Sequence, residues 1–143
     1  MISFKNFILN ESLQEEKKDI TNTLKKIPKN HSKLFKNYKF VFQGGNTLKG
    51  DQKHVAYIKT KTKEICVAAP WNYSREFTIL HEIGHKVWEH LNKDEKKEWV
   101  KITKNNKDYE ELFSMAYANH FVKHKVPNHT KKEWDDFIHK ICN

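Results

Sequence analysis

The run Leu80-His81-Glu82-Ile83-Gly84-His85-Lys86-Val87-Trp88 constrains this chain more than any other stretch of it. It contains the pattern His-Glu-x-x-His, and on an α-helix residues four apart share a face, one turn above the other. His81 and His85 then present two imidazole nitrogens to one ion, at about 2.0–2.1 Å each for zinc. Glu82 projects from the neighbouring edge of the same turn, awkward as a ligand beside the two histidines but suited to taking a proton from a water at the metal. The surrounding residues predict the helix itself. Phe77, Leu80, Val87, Trp88 and Leu91 recur at helical spacing, so the segment from about Ser74 to Leu91 reads as a buried helix. Ser74 suits the N-cap, and Glu76 puts a negative charge in the first turn, where the helix dipole favours it. Gly84 is a poor helix former, and its position mid-helix predicts that another backbone or a substrate packs closely there.

At 143 residues the chain is most simply one domain, 1–143, with a single modest core. The formal net charge of +9 comes almost wholly from lysine, since Arg75 is the sole arginine. A dedicated nucleic-acid reader relies on arginine for bidentate contacts, so specific nucleic-acid binding is not the expectation here. Lysine spread over every segment reads as a solvated surface with some attraction for acidic partners. Cys66 and Cys142 are too few and too far apart for a disulfide framework or a thiolate zinc site. The opening Met1 to Asn10 has no apolar run long enough for a signal peptide or a membrane span, so the expected setting is cytoplasmic, without membrane contact.

Along the chain, Leu13, Ile20, Leu24 and Ile27 mark an amphipathic helix from about Ser12 to Ile27, stopped by Pro28. A short helix follows around His31 to Lys36. Tyr38 to Gln43 reads as a strand, ended by Gly44-Gly45, and the loop from Asn46 to Gln52 is polar. Val55 to Ile58 and Ile65 to Ala69 are β-prone runs joined as a hairpin through Lys59 to Glu64, with Pro70 closing the second. A charged helix spans Lys93 to Lys104. The helix from Asp108 to Val122 is apolar on all sides and should be central. Trp134, Phe137, Ile138 and Ile141 mark a final amphipathic helix. The expected fold class is α+β: a small twisted antiparallel sheet of about three strands packed on the His-Glu-x-x-His helix and a second, glutamate-bearing helix, with flanking N- and C-terminal helices. The apolar run Ile65 to Ala69, directly before the metal helix, is expected to be a sheet edge alongside which an extended substrate pairs.

Two histidines leave a catalytic zinc site one protein ligand short. Metzincin spacing needs glycine and histidine at positions 88 and 91, where this chain has Trp88 and Leu91, so that class is excluded. Glu110 and Glu111 both project, on a helical wheel, from mostly apolar surroundings, where a carboxylate is costly unless it meets a charge or a metal. The wheel does not choose between them. His120 and His124 also stand four apart, but no acidic partner follows them, and they read as a solvated pair.

The run from Arg75 to His85 resembles the zinc helix of gluzincin peptidases, the ImmA/IrrE group in particular. Glu111-Leu112-Phe113-Ser114-Met115-Ala116-Tyr117-Ala118 resembles the third-ligand helix of the same clan, including the anthrax lethal factor and Pro-Pro endopeptidase branch. The resemblance covers about Val55 to Val122. It implies a zincin-like fold, a Zn2+ cofactor held by His81, His85 and Glu111, and Glu82 as general base. The implied activity is hydrolysis of peptide bonds. The chain departs from the lethal-factor branch in carrying Lys104 where that branch has a tyrosine, which leaves the oxyanion-stabilising group unassigned, with Tyr109, Tyr117 and His120 as weak candidates. It also lacks the helix-turn-helix that often accompanies ImmA proteins. The start Met1 to Ser12 resembles those of many proteins from large tailed phages, which implies a phage-encoded and virion-associated setting. The alternative reading is a zinc-containing binding module without turnover, acting on nucleic acid or a host factor.

Overall fold

The computed structural model describes residue 18 and residues 21–42, 56–67, 75–122, 125 and 131–143. The start of the N-terminal helix, the loop 46–52, the N-cap Ser74, Pro70 and His124 lie outside these residues. Residues 21–26 (α1) are helical and end ahead of Pro28, whose ring and missing N–H stop the helix. Pro28 in turn precedes the short helix α2 (Lys29–Ser32), which tightens into a 3-10 turn at Lys33–Phe35. Ile27 and Phe35 point from this segment into the core.

Three four-residue strands follow: β1 (Lys39–Phe42), β2 (Ala56–Lys59) and β3 (Glu64–Val67). β2 and β3 form the expected hairpin, with Ala56 opposite Val67 and Lys59 opposite Glu64. Lys63, at φ 54°, takes the left-handed conformation the turn requires. The order, however, is β1-β3-β2, and β1 runs parallel to β3, with Lys39 opposite Glu64 and Phe42 opposite Val67.

The expected α+β fold built on an antiparallel sheet is therefore corrected. Helices dominate the described residues, and the small sheet is mixed. Local patterning marks strands and tight hairpins, but pairing between β1 and β3 joins segments more than twenty residues apart in sequence, which no local signal encodes. A second expectation falls with it. β3 is the central strand, its two edges already paired, so no substrate strand can add alongside it.

Four helices make up the rest: α3 (Arg75–His90), α4 (Lys93–Ile102), α5 (Tyr109–Phe121) and α6 (Lys132–Ile141). β2 lies against α3, and the Lys86 ammonium of α3 donates to Thr60 Oγ1 just beyond β2 at 3.3 Å. α4 starts with a capping box, in which Asn92 Oδ1 accepts from the Glu95 N–H at 2.8 Å and Glu95 Oε1 from the Asn92 N–H at 3.0 Å. α5 is central, as its all-round apolar pattern requires: every residue from Phe113 to Asn119 is buried. Trp99 of α4 sits fully buried among Phe113, Trp134 and Phe137, with ring centroids 5.2–5.8 Å away. Its indole N–H donates to the Tyr109 carbonyl at 2.6 Å, which ties down the first turn of α5.

α3 and α5 approach closely at Gly84. A Cβ on Gly84 would come within 2.9 Å of Ser114 Cα, 3.2 Å of Ser114 O and 3.2 Å of Tyr117 Cβ. Backbone atoms cannot swing aside, so only glycine permits this approach. Alanine at 84 would gain about 1 kcal/mol of helix propensity but overpack the crossing at a cost of about 1–3 kcal/mol, with the clash against backbone at the high end. Gly84→Ala is thus expected to lower the denaturant midpoint with an unchanged slope. An equal or higher midpoint would show that the crossing has slack.

Candidate metal centre

α3 and α5 bring three donors together because the crossing at Gly84 and Ser114 lies within one turn of each. His81 and His85 sit either side of Gly84 on α3, and Glu111 precedes Ser114 by three residues on α5, along one face. The nitrogens His81 Nε2 and His85 Nε2 are 3.2 Å apart. Glu111 reaches both, with Oε1 3.0 Å from His81 Nε2 and Oε2 3.1 Å from His85 Nε2. His81, His85 and Glu111 form a group that could hold a metal ion, their ligand atoms all within 4.8 Å of one another. The spacing fits: ligands at about 2.0–2.1 Å from a tetrahedral ion stand about 3.3–3.4 Å apart, and from an octahedral ion about 2.9–3.0 Å.

The far ring nitrogens are engaged as well. His81 Nδ1 lies 3.0 Å from Met115 Sδ, and His85 Nδ1 lies 3.5 Å from Glu110 Oε1. A bound ion would take the Nε2 lone pairs in place of the hydrogen bonds to Glu111, leaving each ring proton on Nδ1, where His81 faces Met115 and His85 faces Glu110. The two adjacent glutamates thus have different partners: Glu111 faces both Nε2 atoms, and Glu110 braces the back of His85. Met115 was not singled out from the sequence, although its position four residues after Glu111 puts it on the same face of α5.

The expectation of apolar surroundings for both carboxylates is corrected. The Glu110 and Glu111 side chains are 49% and 54% exposed, so they line the mouth of the site rather than its floor. Their location in the first turn of α5 also sets them in the favourable field of that helix N-terminus. Hydrogen bonds from His81 and His85 hold the Glu111 carboxyl well below the usual carboxylate range, against its partial desolvation. Burial by itself would lower His85, but its hydrogen bond to Glu111 and the charges of Glu82 and Glu111 outweigh that and leave it raised above 6.5. Glu82 is half-buried on the same turn.

None of the three oxyanion candidates is aimed at the triad. The Tyr117 hydroxyl, buried in the core, is hydrogen-bonded to His31 Nδ1 at 2.9 Å, and its burial pushes its pKa upward. The Tyr109 ring packs on Trp88, at 5.6 Å between centroids. His120 Nδ1 is 2.6 Å from Asp135 Oδ1 on α6, which supplies the acidic partner the sequence reading did not find for it.

Comparison of the chain with protein-family models, with curated proteins and with solved structures finds no match. The likeness to gluzincin peptidases therefore rests on the motif residues themselves. Among the described residues no helix is long and apolar enough to cross a membrane.

The geometry separates the two glutamates experimentally. Glu111→Ala removes a donor shared by both histidines and should weaken Zn2+ binding by orders of magnitude in calorimetric titration. Glu110→Ala removes only the brace on His85 and should cost less, about 10–100-fold at most; the reverse order would contradict the arrangement. The raised His85 also sets the sign of the pH dependence. Its proton must leave before Nε2 can bind, so affinity should hold at high pH and begin to fall while the pH is still above about 6.5. An affinity that is flat from about pH 8 to about pH 5.5 would exclude His85 as a ligand.

Proposed function

We propose that this chain is a zinc metallopeptidase that hydrolyses peptide bonds, with Zn2+ held by His81, His85 and Glu111 and with Glu82 as general base. The observation that carries the reading is the convergence of Glu111 on both Nε2 atoms, at 3.0 and 3.1 Å, beside a glutamate on the same helical turn. Two imidazoles and one carboxylate make a three-ligand set that leaves a position open, the hallmark of catalytic rather than structural zinc sites. The donor spacing alone also suits the two-histidine, one-carboxylate face of an octahedral iron site. Glu82 supports the hydrolytic reading, because a carboxylate adjacent to His81 is suited to taking the proton of a hydrolytic water.

Bound zinc would supply Lewis acidity, polarising the scissile carbonyl and making a nearby water more acidic. The chain's own residues do the rest. Glu82 accepts the proton of the attacking water and returns it to the departing amine. Met115 and Glu110 keep the two imidazoles turned to the reaction centre. The half-exposed Glu111 leaves the site open to a polypeptide passing across it.

Glu82→Gln keeps the shape and the hydrogen-bonding reach but cannot accept the proton. The variant should fold, retain stoichiometric zinc and lose about 10²–10⁴-fold in turnover of any peptide the wild type cleaves. Undiminished cleavage would end the mechanism. Wild type and variant that are equally inert toward a diverse peptide library, while both keep zinc, would favour the binding-module alternative.

A further inference from the structure

A groove of about 480 Å3 opens where α3, α4 and α5 meet. Its aromatic walls are Trp88 and Tyr109, and its cationic side is Lys96, Lys97 and Lys101 of α4; no acidic side chain lines it among the described residues. Lys96 Nζ stands over the Trp88 ring, 5.7 Å from its centroid. Tyr109 is 38% exposed and is the one large hydrophobic side chain left exposed among the described residues.

Residues that line the groove neighbour the candidate metal ligands in sequence on both helices that carry them. Trp88 follows His85 by three residues and His81 by seven, so the three fall along one stripe of α3. Tyr109 immediately precedes Glu110 and Glu111. Along α3 the step from His85 to Trp88 is about 4.5 Å, a little more than one residue of an extended chain at about 3.3 Å. A chain lying across the metal centre in this direction would enter the groove within about two or three residues.

We propose that this groove is a substrate subsite for an acidic peptide segment, recognising aspartate or glutamate within about three residues of the scissile bond. The inference rests on the peptidase reading for the identity of the ligand as a peptide. Its charge preference rests on the groove alone. A carboxylate entering it meets three ammonium groups, while the apolar part of the segment lies against the exposed Tyr109 ring, itself packed on the buried Trp88. A short peptide suits the groove better than a nucleic-acid strand. Its cations are point-charge ammoniums rather than the planar forks that grip phosphates bidentately, and it is a compact pocket rather than a long basic track.

The test uses the full chain loaded with zinc and carrying Glu82→Gln, so that bound peptide stays intact. Fluorescence anisotropy would compare a labelled leucine–glutamate peptide, its leucine–glutamine counterpart and an oligothymidylate. The acidic peptide should bind at least about tenfold tighter than the neutral one. That preference should shrink as NaCl is raised and disappear in the triple variant Lys96→Gln, Lys97→Gln, Lys101→Gln, whose helix-compatible glutamines leave α4 intact by circular dichroism. The salt series on the parent chain stands even if the triple variant fails to fold. Equal binding of the two peptides, a preference insensitive to both salt and lysine replacement, or tighter lysine-dependent binding of oligothymidylate would each overturn the proposal. A charge preference in binding without any cleavage by wild type would sink the peptidase reading and leave the groove standing. Cleavage indifferent to acidic residues would do the opposite.

Discussion

The close approach of α3 to α5 at Gly84 is the contact on which the rest of the site depends. A hydrogen atom in place of a side chain lets the Ser114 backbone come to within 2.9 Å of where a Cβ would stand. At that separation, side chains one turn away on either helix can share a single point in space. Large residues buried around the crossing, including Phe77, Leu80, Ile83 and Val87 on α3 with Phe113 and Tyr117 on α5, seal it from water and fix its geometry. A wider crossing would leave the histidines and Glu111 on facing surfaces but out of reach of one another.

The site is held from both ends. Behind α3, the hairpin strand β2 backs the helix, and the buried Lys86 stem spans from α3 to Thr60. Behind α5, Trp99 fills the space between α4, α5 and α6 and bonds to the Tyr109 carbonyl. That bond matters because Glu110 and Glu111 lie in the first turn, where an untethered helix frays. A core indole thus stiffens the least secure part of the candidate ligand set.

Electrostatics explains why such a cluster is tolerable in a chain of this composition. Two imidazoles whose Nε2 atoms face each other at 3.2 Å would repel if both were protonated or if both offered lone pairs. The Glu111 carboxylate between them makes a shared proton, or a divalent ion, favourable at that point. The +9 net charge lies mainly on lysines spread over the surface, and three of them line the groove that begins one turn beyond His85.

By itself, the sequence determined what depends on neighbours in the chain. The spacing of His81 and His85 on an apolar helix, the hairpin through Lys59 to Glu64, the stop at Pro28 and the central position of α5 all follow from local periodicity and backbone chemistry. Gly84 likewise announced a close contact, though not with what. The pairing of β1 with β3 was decided only by tertiary structure, because hydrogen bonds between distant strands leave no mark on either strand's pattern. The different partners of Glu110 and Glu111 belong there too. Adjacent helical residues differ by about 100° in direction, and which of them faces both histidines depends on how α5 is rotated against α3, a quantity set by how Ser114 and Tyr117 pack on Gly84.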